Sequence, residues 1–228
     1  MKIATNIALE FDAFSANYTE DMINCVPFYE KLLRSFTKTL PVGFVPQRIL
    51  DLGCGNGNVT AQLLHAFPES HFELLDASQQ MIDLCKNRFL GKSINYHPTF
   101  FNEFPFPESE FDLITAGFSI HHCNTEEKKA LFKKIYNSLK PNGVFGICDL
   151  MIDKNSNEHP KLLEDWKLFV SKNYPDDEKW KWLMEHYNAF DKPDALQNQL
   201  LWLQEVGFTS IEPTVYDQYW VYIRAIKP

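Results

Sequence analysis

The segment Arg48-Ile49-Leu50-Asp51-Leu52-Gly53-Cys54-Gly55-Asn56-Gly57-Asn58 joins an apolar run to three alternating glycines. The apolar run predicts a buried strand, and the glycines predict a sharp turn from that strand into a helix. Because glycine lacks a Cβ, such a turn can adopt positive φ angles and lets a ligand approach its N–H groups closely. The segment therefore predicts a ligand site where the first strand ends.

Strand and helix patterns alternate from this segment as far as Leu150. Near-continuous apolar runs predict five strands, and amphipathic helices separate them, one of which we expect Thr125 to cap. A last helix, over Ala195 to Val206, leads into two apolar runs that are close enough to form an antiparallel hairpin. Because crossovers between parallel strands are right-handed, we expect an α/β fold. Its doubly wound, Rossmann-like seven-stranded sheet would be mostly parallel, with a C-terminal antiparallel hairpin and helices on both faces.

Two parts of the chain stand outside this alternation. An apolar stripe within Ile7 to Leu40 predicts an amphipathic N-terminal helix, and two stripes after Leu150 predict inserted helices. We expect a single domain over residues 1–228, with an N-terminal helical cap (1–45), a cofactor-binding core (46–152), an inserted helical lid (153–192), and a last helix and hairpin (193–228). The aromatic candidates for closing over the site are Tyr18, Trp166, Phe169 and Tyr187. Aromatic stripes of this kind are more often core packing.

The composition argues against several classes of partner. A net charge of −8 disfavours nucleic acid, because phosphate contacts need clustered lysine and arginine. The five cysteines are scattered and form no C-x-x-C pair, which favours reduced thiols. The chain shows neither the apolar core of a signal peptide nor an apolar run of about eighteen residues. We therefore expect a cytoplasmic protein, monomeric or homodimeric, with no membrane or nucleic-acid partner.

Two acidic residues indicate what kind of ligand the glycine turn receives. A dinucleotide fingerprint requires G-x-G-x-x-G, but Asn58 stands where the third glycine is needed. Asp51 precedes the first glycine, where its negative charge suits a cationic ligand better than a pyrophosphate. Asp76 ends the second predicted strand, where a carboxylate can accept both hydroxyl groups of a ribose. Together the two acids predict a nucleoside that carries a cationic group.

The chain resembles the class I S-adenosylmethionine (SAM)-dependent methyltransferases in four segments: residues 49–57, residues 74–78 with Met81, residues 111–114 and residues 139–143. The resemblance implies SAM as the cofactor, S-adenosylhomocysteine as its product, and methyl transfer to an O, N or C nucleophile of a small molecule. It implies that the glycine loop holds the methionine part of SAM and that Asp76 holds the ribose. The residues expected to contact SAM are Asp51, Gly53, Cys54, Gly55, Gly57, Asp76, Ala77, Ser78, Met81, Phe101, Asn102, Ala116 and Gly117. For Met81, core packing is the alternative, and one side chain can serve both roles.

The end of the third strand departs from the family pattern. The family usually has an aspartate there that accepts from the adenine amino group, whereas this chain has Phe100. The expectation is that Asn102 or Glu103 substitutes for the acid, or that Phe101 contacts the adenine ring.

His121 is the candidate catalytic residue, because it follows the fourth strand at the end that faces the expected methyl group. A base there would contribute roughly 10²- to 10⁴-fold, while in-line positioning alone can contribute about 7–11 kcal/mol. Pocket wall and helix cap are the alternatives for His121, and we expect His122 to point elsewhere. No metal site is expected, because no Asp, Glu or Cys completes a ligand set at recognisable spacing.

Two other functions remain open. A carboxy-SAM synthase would use a similar cofactor pocket but modify the methyl group of the cofactor itself. It would need a cation to hold a second acid, and Arg224, the candidate, lies in the last predicted strand. A non-catalytic SAM-binding protein is the other alternative.

Overall fold

A seven-stranded sheet forms the centre of the computed structural model, which describes residues 17–228. The strands are β1 (Arg48–Leu52), β2 (His71–Asp76), β3 (Ile94–Pro98), β4 (Phe111–Gly117), β5 (Leu139–Leu150), β6 (Thr209–Tyr216) and β7 (Trp220–Ile226). The helices are α1 (Tyr18–Cys25), α2 (Tyr29–Lys38), α3 (Asn58–Ala66), α4 (Gln79–Arg88), α5 (Thr125–Ser138), α6 (His159–Ser171), α7 (Glu178–Phe190) and α8 (Leu196–Glu205), with a 3₁₀ turn at Ile120–His122. The part of the predicted N-terminal cap over residues 1–16 lies outside the described residues.

The strand order is β3-β2-β1-β4-β5-β7-β6. Strands β1 to β5 pair in parallel with their neighbours, whereas β7 pairs antiparallel with both β5 and β6. This topology confirms the predicted fold class. The order reverses between β1 and β4, so the loops leaving the carboxyl ends of these strands diverge and open a crevice. The glycine-rich segment leaves β1 at this crevice.

Apolar layers cover both faces of the sheet. Successive side chains of a strand point to opposite faces, so Ile49 joins the layer that contains Leu32 and Phe36, whereas Leu50 joins the layer that contains Phe132. All five side chains are buried. Burial on both faces explains why the parallel strands read as near-continuous apolar runs.

The predicted N-terminal helix is in fact two helices, α1 and α2. Pro27 follows Val26, whose backbone is extended (φ −108°, ψ 111°), and Phe28 has a φ of 60°. A proline disfavours the helical conformation of the residue before it, so α1 ends there. The prediction of one helix was wrong because the apolar periodicity continues across the break.

Helix α5 is capped by Asn124, and not by Thr125 as predicted. The side chain of Asn124 accepts from the N–H of Glu127 (3.0 Å), and the carboxylate of Glu127 accepts from the N–H of Asn124 (2.7 Å). This reciprocal pair is a capping box. Thr125 is the first helical residue, and its hydroxyl donates to Asp194 (3.2 Å).

The insertion after β5 consists of α6 and α7, and it contacts α1. The indole N–H of Trp166 donates to the carbonyl of Cys25 (2.6 Å), and the hydroxyl of Tyr174 donates to the carboxylate of Asp21 (2.8 Å). Lys179 lies 2.6 Å from the same carboxylate oxygen. These contacts hold the insertion to the N-terminal helix; the division of the chain into cap, core and lid stays a prediction. In residues 17–228 no helix has both the length and the apolar character needed to cross a membrane.

Candidate functional site

The glycine loop is tied to the end of β2. The N–H groups of Gly53 and Cys54 both donate to the carbonyl of Leu75, at 2.7 and 3.0 Å. Gly53, Gly55 and Gly57 have φ angles of 66°, 53° and 86°. A Cβ on Gly53 would lie 2.3 Å from the Cβ of Ser119, so only glycine fits there.

Asp76 joins the end of β2 to this loop. One oxygen of its carboxylate accepts from the N–H of Gly55 (2.8 Å), and the other accepts from the N–H of Ser78 (2.9 Å). The hydroxyl of Ser78 in turn accepts from the N–H of Met81 and caps α4 (3.1 Å). The half-buried carboxylate therefore stands at the crevice in a fixed orientation, which suits the expected contact with a ribose.

Asp51 is enclosed beneath the loop. Its two carboxylate oxygens accept from the hydroxyls of Thr60 (2.6 Å) and Thr115 (2.9 Å), and the residue is fully buried. Burial raises the pKa of Asp51 to about 6, although both hydroxyl groups favour the ionised form. The carboxylate thus faces two threonines, and its predicted contact with a cationic ligand stays a prediction.

Tyr18 covers the glycine loop from the N-terminal side. Its ring approaches to 3.4 Å of the place where a Cβ of Gly55 would lie, and burial raises its pKa well above the ordinary value. The neighbouring Thr19 donates to Asn58 (3.0 Å) and accepts from Asn56 (2.7 Å). Helix α1 therefore covers the loop, and the role of Tyr18 as a lid residue stays a prediction.

The other residues predicted to contact SAM lie around the same crevice, and they differ in how far they are buried. Phe101 lies 3.5 Å from the place of a Cβ on Gly53, whereas Asn102 is exposed and its carbonyl accepts from Lys134 (3.5 Å). The remaining members of the set are buried or half-buried at the ends of β1, β2 and β4 and in the first turn of α4: Cys54, Ala77, Met81, Ala116 and Gly117. The Asp76 carboxylate and the loop main chain fit the expected cofactor, while how adenine is recognised stays a prediction.

A cleft opens beside Tyr18, between the carboxyl ends of β4 and β5 and the insertion. It encloses about 770 Å³ of space, including its open mouth. Its described lining residues are Tyr18, Asp21, Met22, Cys25, Val26, Phe118, His121, His122, Asp149, Leu150, Trp166, Trp182, Leu183, His186, Tyr187, Asp191, Pro193 and Trp220. Trp166 and Tyr187 pack edge to face in the wall (ring centroids 5.5 Å apart), whereas Phe169 packs against the core and does not line this cleft.

His121 lies in this cleft between two carboxylates that the sequence did not reveal. Its Nδ1 is 2.5 Å from Oδ1 of Asp149, and its Nε2 is 3.5 Å from Oδ1 of Asp191. Burial lowers the pKa of His121, but the two carboxylates outweigh this effect, so the pKa is raised above its ordinary value. Its predicted role as a base stays a prediction.

His122 and His186 complete this cluster. The rings of His121 and His122 have centroids 4.1 Å apart, so the expectation that His122 points elsewhere was wrong. Burial and the neighbouring His121 lower the pKa of His122 to about 4. Burial raises the pKa of Asp191, but the histidines outweigh it and hold the pKa at about 2.

The expectation of no metal site stays a prediction, but it considered only spacing along the chain. The sequence offered no carboxylate at ligand spacing from the histidines, but the fold brings Asp191 to within 4.8 Å of both His121 and His122. No local signal could have revealed Asp149, His186 or Asp191, because each comes from a different part of the chain.

A family model described as a methyltransferase domain matches residues 49–143. These residues run from β1 into β5 and include both the glycine loop and Asp76.

Individual proteins with similar sequences cover nearly the whole chain. The carboxy-S-adenosyl-L-methionine synthase of Nautilia profundicola is 29% identical over 216 residues, which are 89% of this chain and 88% of that protein. The ubiquinone/menaquinone biosynthesis C-methyltransferase UbiE of Shewanella sediminis is 24% identical over 226 residues, which are 92% and 86% of the two chains.

A solved structure shares the fold. The O-methyltransferase family protein of Burkholderia thailandensis superposes with a TM-score of 0.69 and 15% identity, over 95% of this chain. This chain spans 59% of the length of that protein.

Proposed function

Because the chain belongs to the class I SAM-dependent methyltransferases, we propose that it transfers the methyl group of SAM to an O, N or C nucleophile of a small molecule. The observation that carries this proposal is the aromatic-walled cleft next to Tyr18, which covers the glycine loop. The cleft is concave and lined mainly by apolar and aromatic side chains with a few polar groups, as small-molecule pockets usually are.

The residues that would hold SAM are Asp76, toward the ribose, and the main chain of the loop that begins at Gly53. SAM supplies an electrophilic methyl group bonded to a sulfonium. The ring of Tyr18 lies 3.4 Å from the place of a Cβ on Gly55, so α1 has to move for a ligand to reach this part of the main chain. Once closed, Tyr18 and the aromatic wall would exclude water and hold the acceptor in line.

The proposal rests on positioning and requires no base. Both ring nitrogens of His121 face carboxylates, Asp149 on one side and Asp191 on the other. In-line alignment of the reacting groups can contribute about 7–11 kcal/mol, which exceeds what one general base adds. The aromatic faces of Trp166 and Trp220, which pack edge to face, suit an acceptor with an apolar or aromatic body.

A carboxy-SAM synthase activity is a weaker proposal, although relatives from three organisms carry that name. It requires a cation that holds a second acid, and the described residues that line the cleft include no lysine or arginine. The guanidinium of Arg224 is bound instead to Glu212 (2.5 Å) and to the carbonyl of Thr39. The net charge of −8 further supports a small acceptor over nucleic acid. The cytoplasmic location and a monomer or homodimer are parts of the same proposal.

Two measurements test the proposed function. Calorimetry with SAM and S-adenosylhomocysteine measures cofactor binding, and a screen of small acceptors with methyl-labelled SAM measures transfer. We expect saturable binding of both and labelled product from at least one small acceptor. Absence of saturable binding contradicts the cofactor assignment. Saturable binding with no transfer to any acceptor supports the alternative of a non-catalytic SAM-binding protein.

A further inference from the structure

Three histidines surround one carboxylate oxygen in the cleft. Oδ1 of Asp191 lies 3.5 Å from Nε2 of His121, 3.4 Å from Nδ1 of His122 and 3.5 Å from Nε2 of His186. The oxygen is buried, and within residues 17–228 it lacks a hydrogen bond of good geometry. A buried carboxylate oxygen in such surroundings requires an explanation, because buried polar atoms normally have a partner.

The distances match the spacing of metal ligands better than that of hydrogen-bonded groups. N–H···O hydrogen bonds have donor-to-acceptor distances near 2.9 Å. Zinc binds imidazole nitrogen at about 2.0–2.1 Å and carboxylate oxygen at about 2.0–2.2 Å, so two ligand atoms of a tetrahedral ion lie about 3.3–3.5 Å apart. His121, His122 and Asp191 each offer an atom within 4.8 Å of the other two.

His121 is also oriented in the way that metal-binding histidines usually are. Oδ1 of Asp149 lies 2.5 Å from Nδ1 of His121, and Oδ2 accepts from its main-chain N–H at 3.1 Å. A carboxylate that holds the Nδ1 proton leaves the lone pair on Nε2, which here faces Asp191. Asp149 is buried on β5, so this orientation is imposed by the sheet.

We propose that His121, His122 and Asp191 bind one divalent transition-metal ion of the zinc class, with the remaining coordination position open. Imidazole nitrogens suit zinc, iron, cobalt or nickel, whereas magnesium and calcium take oxygen ligands. The ion would stand in the wall of the cleft, where it could act as a Lewis acid on a molecule bound there. The assignment does not depend on the proposed methyl transfer.

Metal binding to the full chain tests the assignment without an activity measurement. The protein is first treated with a chelator. Titration with Zn²⁺ is then followed by calorimetry, and titration with Co²⁺ by visible absorption. We expect one Zn²⁺ site per chain, a Co²⁺ spectrum of low coordination number that Zn²⁺ abolishes, and no competition from excess Mg²⁺.

Variants locate the site. Asp191→Asn removes a ligand and is expected to abolish the Zn²⁺ site, while Asp149→Asn keeps all ligands and is expected to weaken binding about 10- to 100-fold. The matched control is His71→Gln with His97→Gln, which removes a histidine pair beside Glu73 on the far strands and should leave the affinity unchanged. Circular dichroism checks that each variant folds.

Three outcomes would overturn the proposal: a wild-type protein that binds neither ion, unchanged affinity in folded Asp191→Asn, or loss of the site in the control. The first is decided by the wild-type protein alone, so the proposal remains testable if Asp191→Asn does not fold.

Discussion

Nζ of Lys128 lies 2.6 Å from Oδ2 of Asp194, and this ion pair anchors the segment that follows α7 to α5. Lys128 also donates to the carbonyl of Lys192. Lys192 in turn donates from its main chain to the carbonyl of His121 (2.7 Å) and from its side chain to the carbonyl of His122 (2.8 Å). The ion pair therefore keeps the segment that carries Asp191 against the turn that carries both histidines.

Lys128→Met is expected to lower the free energy of unfolding by about 3–5 kcal/mol, because it leaves the mostly buried carboxylate of Asp194 without its cationic partner. Urea unfolding measures the change. The neighbouring lysine provides the control, since the side chain of Lys129 is 40% exposed and pairs with Glu126 within the helix. Lys129→Met should cost less than about 1 kcal/mol. Equal effects of the two substitutions would contradict the role given to Lys128.

Asp76→Ala is expected to weaken the binding of S-adenosylhomocysteine about 10- to 100-fold. The variant removes charge-assisted hydrogen bonds worth about 1.5–3 kcal/mol and releases the N–H of Gly55 from its fixed orientation. Calorimetry measures the affinity. Asp83→Asn is the control, because Asp83 is an exposed carboxylate on α4 that pairs with Lys86. Unchanged affinity in Asp76→Ala would refute the cofactor assignment of this carboxylate.

The stability contributed by Asp51 is expected to fall as the pH rises. Its folded pKa of about 6 lies above its ordinary value of 3.8, so the folded protein holds this proton more tightly than the unfolded chain does. The contribution of Asp51 to the free energy of unfolding is complete below about pH 4 and is lost as the pH rises through 6. The loss amounts to about 3 kcal/mol. As the pH rises from 4 to 7, the free energy of unfolding of Asp51→Asn should therefore increase relative to that of the wild-type protein. Urea unfolding of both proteins across this range measures the difference, and a constant difference would be inconsistent with the raised pKa.

Gly53→Ala is expected to destabilise the fold by more than Gly43→Ala. Both glycines have positive φ angles, 66° and 77°, so each substitution carries the cost of that conformation, about 1–2 kcal/mol. A Cβ on Gly43 meets nothing within 4 Å, whereas one on Gly53 meets the Cβ of Ser119 at 2.3 Å. The steric clash at Gly53 should therefore add about 1–3 kcal/mol to the loss in free energy of unfolding. Thermal unfolding of the two variants isolates the steric effect, and equal losses would argue against it.

Asp21→Asn is expected to loosen α1 from the insertion. The substitution weakens the contacts of this carboxylate with the hydroxyl of Tyr174 and with Lys179. We expect faster amide hydrogen exchange in α1, by about 10-fold or more, because one charge-assisted contact is worth about 1.5–3 kcal/mol. Glu20→Gln on the same helix is the control, since Glu20 is exposed. If the amide hydrogens of α1 exchange at the same rate in both variants, Asp21 does not hold α1 to the insertion.

Features with a local cause could be predicted from the sequence. The sheet was predicted because strands buried on both faces must be apolar throughout, and because the glycine turn after Leu52 needs residues without a Cβ. The N-terminal helix and the cap of α5 were predicted less well. The apolar periodicity gives no sign that Pro27 makes Val26 extended. The reciprocal hydrogen bonds of Asn124 and Glu127 depend on side-chain geometry.

The cluster around His121 could not be predicted in this way. The two neighbouring histidines, Asp149 on β5, His186 on α7 and Asp191 beyond that helix come from separate elements, and no spacing along the chain records that they meet. The sequence by itself determined the α/β sheet, the glycine loop and Asp76, because backbone conformation and burial act over a few neighbouring residues. Only the tertiary structure decided what surrounds His121, because packing the insertion against the ends of β4 and β5 brings these distant side chains together.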